Sequence, residues 1–370
     1  MTANDHDVPA LLMQGPVPAG EIAASPFDAA LWQAIRTQEA IQKMTGGDIR
    51  LKALKAFVAL NIAAILGDDD HLTSGEIADI CKADAALMAR FLYAMHAYGV
   101  VTTDEDGRYG LTPLGQALQP GSAMWAALGV ITSPLWQQAG DSLADTIRAG
   151  HPAILGGAAT PYPLVTREPD LGPMFDVFMS GRTAGPAAAL AARDYSDVRT
   201  VADLGGGDGT LLATILTAHP HLNGILVERA DVAARADLRL TEQGLAGRVQ
   251  VITRDIFDDV CPSADRIIVS SVLHNRDDST NVTLLRAIRY ALEHARPRAQ
   301  LWCVEMLLPE AGIHTSGTDL DLRMMAMFPG GQERTLRQYQ ALLASAGLNL
   351  IEGGLLPGNH TLMIAAPDGA

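Results

Sequence analysis

Residues 201–210 read VADLGGGDGT, with four glycines in five positions directly after a β-prone run. A loop so poor in side chains, set between a strand and a helix, confines the chain to folds in which backbone closely approaches a ligand at the carboxyl end of a strand. The surrounding sequence repeats the same grammar. Short β-prone runs occur at 200–204, 224–228, 249–252, 265–271 and 300–305, separated by helical stretches, and again at 348–355 and 361–366. Such alternation predicts a mostly parallel sheet with helices on both faces.

Upstream the pattern changes, and from about residue 31 to 158 it is almost wholly helical. In LKALKAFVALNIAAIL (51–66), Leu54, Phe57, Val58, Ile62 and Ile65 recur at spacings of three and four, predicting one helix with one apolar face. Thr73 and Glu76 stand at capping-box spacing, and AALMARFLYAMHAYGVV predicts the helix that follows. Asp106-Gly107 then separates two short β-prone runs, a strong hairpin signal. Helices followed by a hairpin have the order of a winged helix-turn-helix. The expected layout is an extended or disordered tail at 1–30, a mostly α winged-helix domain at 31–158, a helical connector at 159–195, and an α/β domain at 196–370.

Composition narrows what this chain can bind. A formal net charge of −15 supplies no attraction toward nucleic acid or an anionic membrane. The helix that would read DNA carries only Arg90 for phosphate contacts, and the wing tip is Asp104-Glu105-Asp106. The winged helix therefore reads as a scaffold or dimerisation unit. Cys81, Cys261 and Cys303 are scattered, which suits a reducing compartment and neither a disulfide framework nor a zinc site. The first 20 residues lack the basic start and apolar core of a secretion signal. The longest apolar runs, such as 124–132, fall short of the roughly 20 residues a bilayer requires. A cytoplasmic protein is expected.

In an open α/β sheet the ligand lies beyond the carboxyl ends of the strands. Here those ends carry Asp203 and the glycine loop, Glu228, Asp255 with Ile256 and Phe257, Ser270 with the segment to His274, and Glu305. The loop is not the dinucleotide fingerprint, because Thr210 stands where its third glycine belongs. Asp203 and Asp208 would repel a pyrophosphate. They suit a cationic ligand with an amino group, as in S-adenosylmethionine, with Gly205 and Gly207 admitting it to the backbone. Glu228 follows by roughly 20 residues, where an acid reaches ribose hydroxyls; the alternative is a solvated charge beside Arg229. Asp255 is placed to accept from an adenine amino group with Phe257 on the ring, or else to cap the next turn.

These motifs, VADLGGGDG, RDIFDD, SSVLHNRDD, LWCVEMLLPE and DLRMMAMFPGGQERTLRQYQALLASAGL, occur in order between about residues 45 and 366. Together they resemble the class I S-adenosylmethionine-dependent O-methyltransferases of the plant caffeate and bacterial polyketide-tailoring type. The resemblance implies a Rossmann-like catalytic domain behind a winged-helix dimerisation domain, hence a homodimer. It also implies that His274 is the general base on an acceptor hydroxyl, flanked by Glu305 and Glu333, which orient it and stabilise its charged form. Two positions depart from the family pattern. Asn275-Arg276 replaces the usual Asp-Trp, removing an aromatic and adding a positive charge, and Glu228 replaces an aspartate.

The expected reaction is a direct in-line methyl transfer to a small aromatic or polyketide-like acceptor, releasing S-adenosylhomocysteine. Imidazole suits the task because its ordinary pKa of about 6.5 leaves it mostly neutral near pH 7. No metal is expected, and Asp68-Asp69-Asp70 reads as a solvated turn. Phe178, Met179, Met324, Met325, Met327 and Phe328 are candidates for an apolar acceptor wall, thioethers being adaptable; the alternative is that the methionines are simply core. Transfer to carbon or nitrogen, or a scaffold that keeps the cofactor for other chemistry, remains open at this point.

Overall fold

The computed structural model describes residues 29–67, 71–158, 160–258 and 261–367. Most of the expected tail and the run Asp68-Asp69-Asp70 lie outside the described residues. The chain divides after Leu54 into two compact units. Of the first, the described part belongs to the helix Ala29–Ala59.

The second unit begins with the end of that helix and continues with the helix Ile62–Leu66. The pattern at 51–66 predicts one unbroken helix, but Asn61 adopts the left-handed conformation at φ 56° and ends the first segment. Asparagine visits that region more readily than most residues, and its amide closes a tight turn on the Val58 carbonyl at 2.9 Å. Phe57, Ile62 and Leu66 are nevertheless fully buried, so the apolar stripe survives the break. The helix Ser74–Cys81 starts from the expected capping box: Thr73 Oγ1 accepts from Glu76 N, and Glu76 accepts from Thr73 N. After the helix Ala85–Ala97 comes the hairpin of β1 (Val101–Thr103) and β2 (Tyr109–Leu111). Its turn uses the wing-tip acid locally, since Asp104 Oδ1 accepts from the amides of Asp106 and Arg108.

The remaining strands are β3 (Thr200–Leu204), β4 (Asn223–Glu228), β5 (Val249–Thr253), β6 (Arg266–Ser270), β7 (Gln300–Leu308), β8 (Arg334–Thr335), β9 (Leu348–Leu356) and β10 (His360–Pro367). They form a sheet of order β5-β4-β3-β6-β7-β10-β9, with β8 paired to β7 off that path. Strands β3 to β7 run parallel, and β10 is antiparallel to both neighbours. The order reverses on either side of β3, which opens a crevice between β3 and β6 at their carboxyl ends.

Side chains alternate between the two faces, as a strand period of two requires. Ala202, Ile267, Val269, Leu301 and Cys303 enter one core with the helices Asp278–Glu293 and Leu336–Ser345. Val201, Ile268, Trp302 and Val304 enter the other with the helices Thr210–Ala218 and Leu171–Ala191. Each buried aliphatic side chain is worth about 1.5–3 kcal/mol. These cores hold the strand ends, and hence the crevice, in fixed register. The helices Tyr162–Arg167 and Leu171–Ala191 supply the wall across from it.

Candidate active site

A cavity of about 600 Å³ lies at the crevice. Asp203, Gly205, Gly207, Glu228, Asp255, Ile256, Phe257 and Ser270 all line it, so the structure brings every expected cofactor residue to one place. Gly205 and Gly207 have φ of +71° and +60°, which disfavours any side chain. A Cβ at Gly207 would meet nothing within 4 Å, so that position is open toward the cavity. At Gly206, by contrast, a Cβ would overlap the Asp203 carboxylate and come within 2.6 Å of Leu226. Part of the glycine requirement therefore comes from the chain itself.

Asp203 is fully buried, and neither carboxylate oxygen has a hydrogen-bond partner. Burial, reinforced by the nearby charge of Glu228, pushes its carboxyl up to about 7. Asp208 differs from expectation, because its charge is already committed. One oxygen accepts from Thr210 N and Oγ1 at the start of the helix Thr210–Ala218, and the other pairs with Arg239 and accepts from Ser180. Glu228 accepts from Gly207 N at 3.2 Å and Arg229 N at 2.8 Å, and burial raises its pKa. Asp255 Oδ1 accepts from Phe257 N at 3.0 Å, so it caps the turn while also facing the cavity.

His274 sits in one turn of 3₁₀ helix, Leu273–Asn275. Its Nδ1 lies 2.8 Å from Glu333 Oε1 and 3.5 Å from Glu305 Oε2, and all three side chains are buried. Glu305 is anchored by the amides of Val272 and Leu273, which its Oε1 accepts at 3.0 and 2.8 Å. Burial pushes the Glu305 carboxyl up to about 7, opposed by the charge of His274. Burial alone would depress the His274 pKa; the charge of Glu305 and the hydrogen bond and charge of Glu333 outweigh it and hold it above 6.5. One imidazole nitrogen and one oxygen from each carboxylate lie within 4.8 Å of one another. The short contact between imidazole and carboxylate is that of a base and its orienting acid.

The sequence did not reveal what holds this turn. Asn281 Nδ2 donates to the carbonyls of Leu273 and Arg276. Arg334, 1% exposed, donates to the same two carbonyls and to Asp278. The polar residue next to Glu333 in QERT was the available signal.

Of the expected acceptor wall, Met179 and Phe328 line the cavity, whereas Phe178, Met324, Met325 and Met327 do not. Met324 and Met327 are packed with Ala139 and Phe328 in an apolar cluster, and Phe178 packs on Phe175 and beneath Arg182. Aromatics from elsewhere take their place. Tyr162 and Phe175 line the cavity, Tyr162 meets Phe328 edge-on at 5.7 Å, and Trp136 lies tilted against Phe175 at 5.8 Å. Asn275 and Arg276 face the cavity, while His274 between them and Val272 is not part of its lining.

Residues 142–349 match the family model of the O-methyltransferase domain, and residues 43–120 that of the O-methyltransferase dimerisation domain. The chain belongs to the O-methyltransferase family. It is 34% identical over 306 residues to 2,7-dihydroxy-5-methyl-1-naphthoate 7-O-methyltransferase of Streptomyces carzinostaticus, covering 79% of this chain and 89% of that one. It is 35% identical over 325 residues to aclacinomycin 10-hydroxylase RdmB of Streptomyces purpurascens, covering 82% and 84%. The solved structure of the O-methyltransferase NcsB1 from neocarzinostatin biosynthesis, in complex with S-adenosylmethionine and 2-hydroxy-5-methyl naphthoic acid, matches at TM-score 0.68 and 30% identity. That match covers 86% of this chain and 96% of that one.

S-adenosylmethionine is accordingly the cofactor, and the residues present fit it. The unpartnered Asp203 carboxylate suits a cationic group, the acids at the ends of β4 and β5 suit hydroxyl and amino donors, and the backbone at Gly207 is open. Among the described residues no helix is long and apolar enough to cross a membrane.

Proposed function

We propose that the protein methylates a hydroxyl of a small planar aromatic or polyketide-like acceptor, with His274 as general base, and that it works as a homodimer through its N-terminal domain. The observation that carries this reading is the buried 2.8 Å contact of His274 with Glu333, beside the cavity that holds the cofactor residues. Bound there, S-adenosylmethionine supplies a methyl group on a positively charged sulfur. The chain's own residues do the rest. With Nδ1–H donating to Glu333, imidazole Nε2 keeps the lone pair that takes the acceptor proton. The resulting imidazolium forms between two carboxylates in a water-poor site, where such stabilisation is strong. Tyr162, Phe175 and Phe328 offer flat surfaces to an aromatic ring, and Met179 adapts to its outline.

A second reading keeps the cofactor site and abandons methyl transfer. It is supported by the 35% identity to a relative named as a hydroxylase, and by Asn275 and Arg276, not His274, lining the cavity. Incubation in air with methyl-labelled cofactor, a thiol reductant and a panel of hydroxynaphthoates and anthracyclinones tests both. Label in the product supports the first reading. A product that gains oxygen without label supports the second.

A further inference from the structure

The helix Leu171–Ala191 is shared between two apolar clusters. Its C-terminal part sends Ala187 and Leu190 into a core of the sheet, with Leu211 and Ile215 of the helix Thr210–Ala218. Its N-terminal part packs elsewhere, where Leu171, Met174 and Phe175 join Val130 of the helix Ala123–Ile131. Between the two parts lies Gly185-Pro186. Proline inside a helix has no N–H for the carbonyl one turn back and crowds it, so the helix yields most easily there.

The N-terminal part is also a wall of the cavity, and side chains tie it to the wall opposite. Asp176 forms a fork with Arg235 of the helix Ala230–Glu242: its Oδ2 lies 3.0 Å from Nε, and its Oδ1 accepts from Nη2 at 3.2 Å. One turn further along each helix comes a second tie. Ser180 Oγ donates to Asp208 Oδ2 of the glycine loop at 2.6 Å, and that oxygen also pairs with Arg239. A third lies where the Arg229 guanidinium stands over the Tyr162 ring, 4.6 Å from its centroid. Tyr162, Asp176, Ser180, Asp208, Arg229 and Arg235 all line the cavity. A ligand held between the walls leaves only when ties across them open. The fork is suited to opening. It fixes the two helices in one orientation through two parallel bonds, yet its side chains remain 37% and 47% exposed, so water can take over each bond as it breaks.

We propose that the Asp176–Arg235 fork is a latch on the cofactor cavity, which opens to admit S-adenosylmethionine and to release S-adenosylhomocysteine. The latch needs the cofactor site and not the base, so it holds whether His274 takes the acceptor proton or the scaffold performs other chemistry.

The test follows association and release of S-adenosylhomocysteine by stopped flow on the full-length protein, with Kd from calorimetry. It compares the parent with Asp176→Asn, Arg235→Gln and the double variant, at low salt and at about 0.5 M salt. A latch slows passage in both directions. Each single variant is therefore expected to speed association and release alike, by roughly two- to fivefold, with Kd changing less than either rate. The double variant should match the singles, because all three lose the same contact. Salt should speed exchange in the parent more than in the variants, which have no pair left to screen. Unchanged rates in the single variants overturn the proposal. So does an effect confined to one of them, or a loss of affinity that equals the gain in release rate, as direct contact with the ligand would give. Single effects that multiply in the double variant, or equal salt responses in all four proteins, overturn it as well.

Discussion

Replacing Glu333 with glutamine removes one carboxylate from the trio of His274, Glu305 and Glu333 and keeps an acceptor oxygen for the imidazole. Its carboxylate meets His274 Nδ1 at 2.8 Å and its side chain is 0% exposed, so no solvent screens the contact. A hydrogen bond to a charged partner is worth about 1.5–3 kcal/mol and a neutral one about 0.5–1.5 kcal/mol. If the charged form matters only once the imidazolium develops, the variant loses about 1–1.5 kcal/mol of transition-state stabilisation, or about five- to thirteenfold in kcat. The pH dependence carries a second signature. The base works when neutral, above its pKa, and Glu333 is one of the groups holding that pKa above 6.5. Glu333→Gln should therefore move the acid limb to lower pH, so its deficit shrinks as the pH is lowered. The assay is single-turnover methylation across pH 5 to 9. A limb that stays fixed or moves upward would refute the electrostatic role of Glu333, as would a loss larger than that of His274→Ala.

His274→Ala should lower kcat by about 10²- to 10⁴-fold with cofactor affinity unchanged, checked by rapid quench and calorimetry; equal rates would transfer the case to the second reading. Asp203 titrates near 7 in the fold against 3.8 as an ordinary carboxyl, so the folded state holds its proton more tightly and stability falls as pH rises between those values. Asp203→Asn should thus recover up to ~4 kcal/mol of ligand-free stability at pH 8 while weakening S-adenosylmethionine binding, measured by denaturant titration and calorimetry. Gly206→Ala should destabilise the fold, because its methyl overlaps Asp203, whereas Gly207→Ala should cost the fold only about 1–3 kcal/mol of backbone strain and chiefly impair cofactor binding. Equal effects of the two on melting temperature would contradict that assignment. Light scattering at micromolar concentration should find a dimer.

Much of the frame was legible because it is local. The strand positions, the capping box of Thr73 with Glu76 and the turn at Gly107 depend on neighbours in sequence, and each expected strand appears in the sheet. The residues that end parallel strands could be named as candidate cofactor contacts for the same reason: topology sends them all to one crevice. Long-range contacts were not legible. Nothing near Asp208 announces Arg239 or Ser180 as its partners. Met324 and Met327 have the composition of a binding wall, yet burial against Ala139 decides otherwise, and Tyr162 and Phe175 reach the cavity from the connector. His274 was distinguishable from other histidines only through the family pattern. Its partners Glu305 and Glu333 come from separate segments, and no spacing rule connects them to it.

The position of β10 bears on how the protein is made. It is the last of the described strands in sequence, yet it lies between β7 and β9, and Thr361 pairs with Glu305 across the ladder. Until residues 360–367 have been synthesised, β7 presents an open edge on the strand that carries one of the trio's two acids. A nascent chain at that stage can assemble the parallel strands and their helices, but the ladder beside Glu305 is unformed. The exposed edge of β7, with Val304, Cys303 and Trp302, is then available to pair with the wrong strand. Closing it joins segments far apart in sequence, the slow kind of step in folding. Catalytic competence is thus expected to arrive late in biogenesis, and chaperones that shield strand edges should matter more for this protein than its buried core alone would suggest.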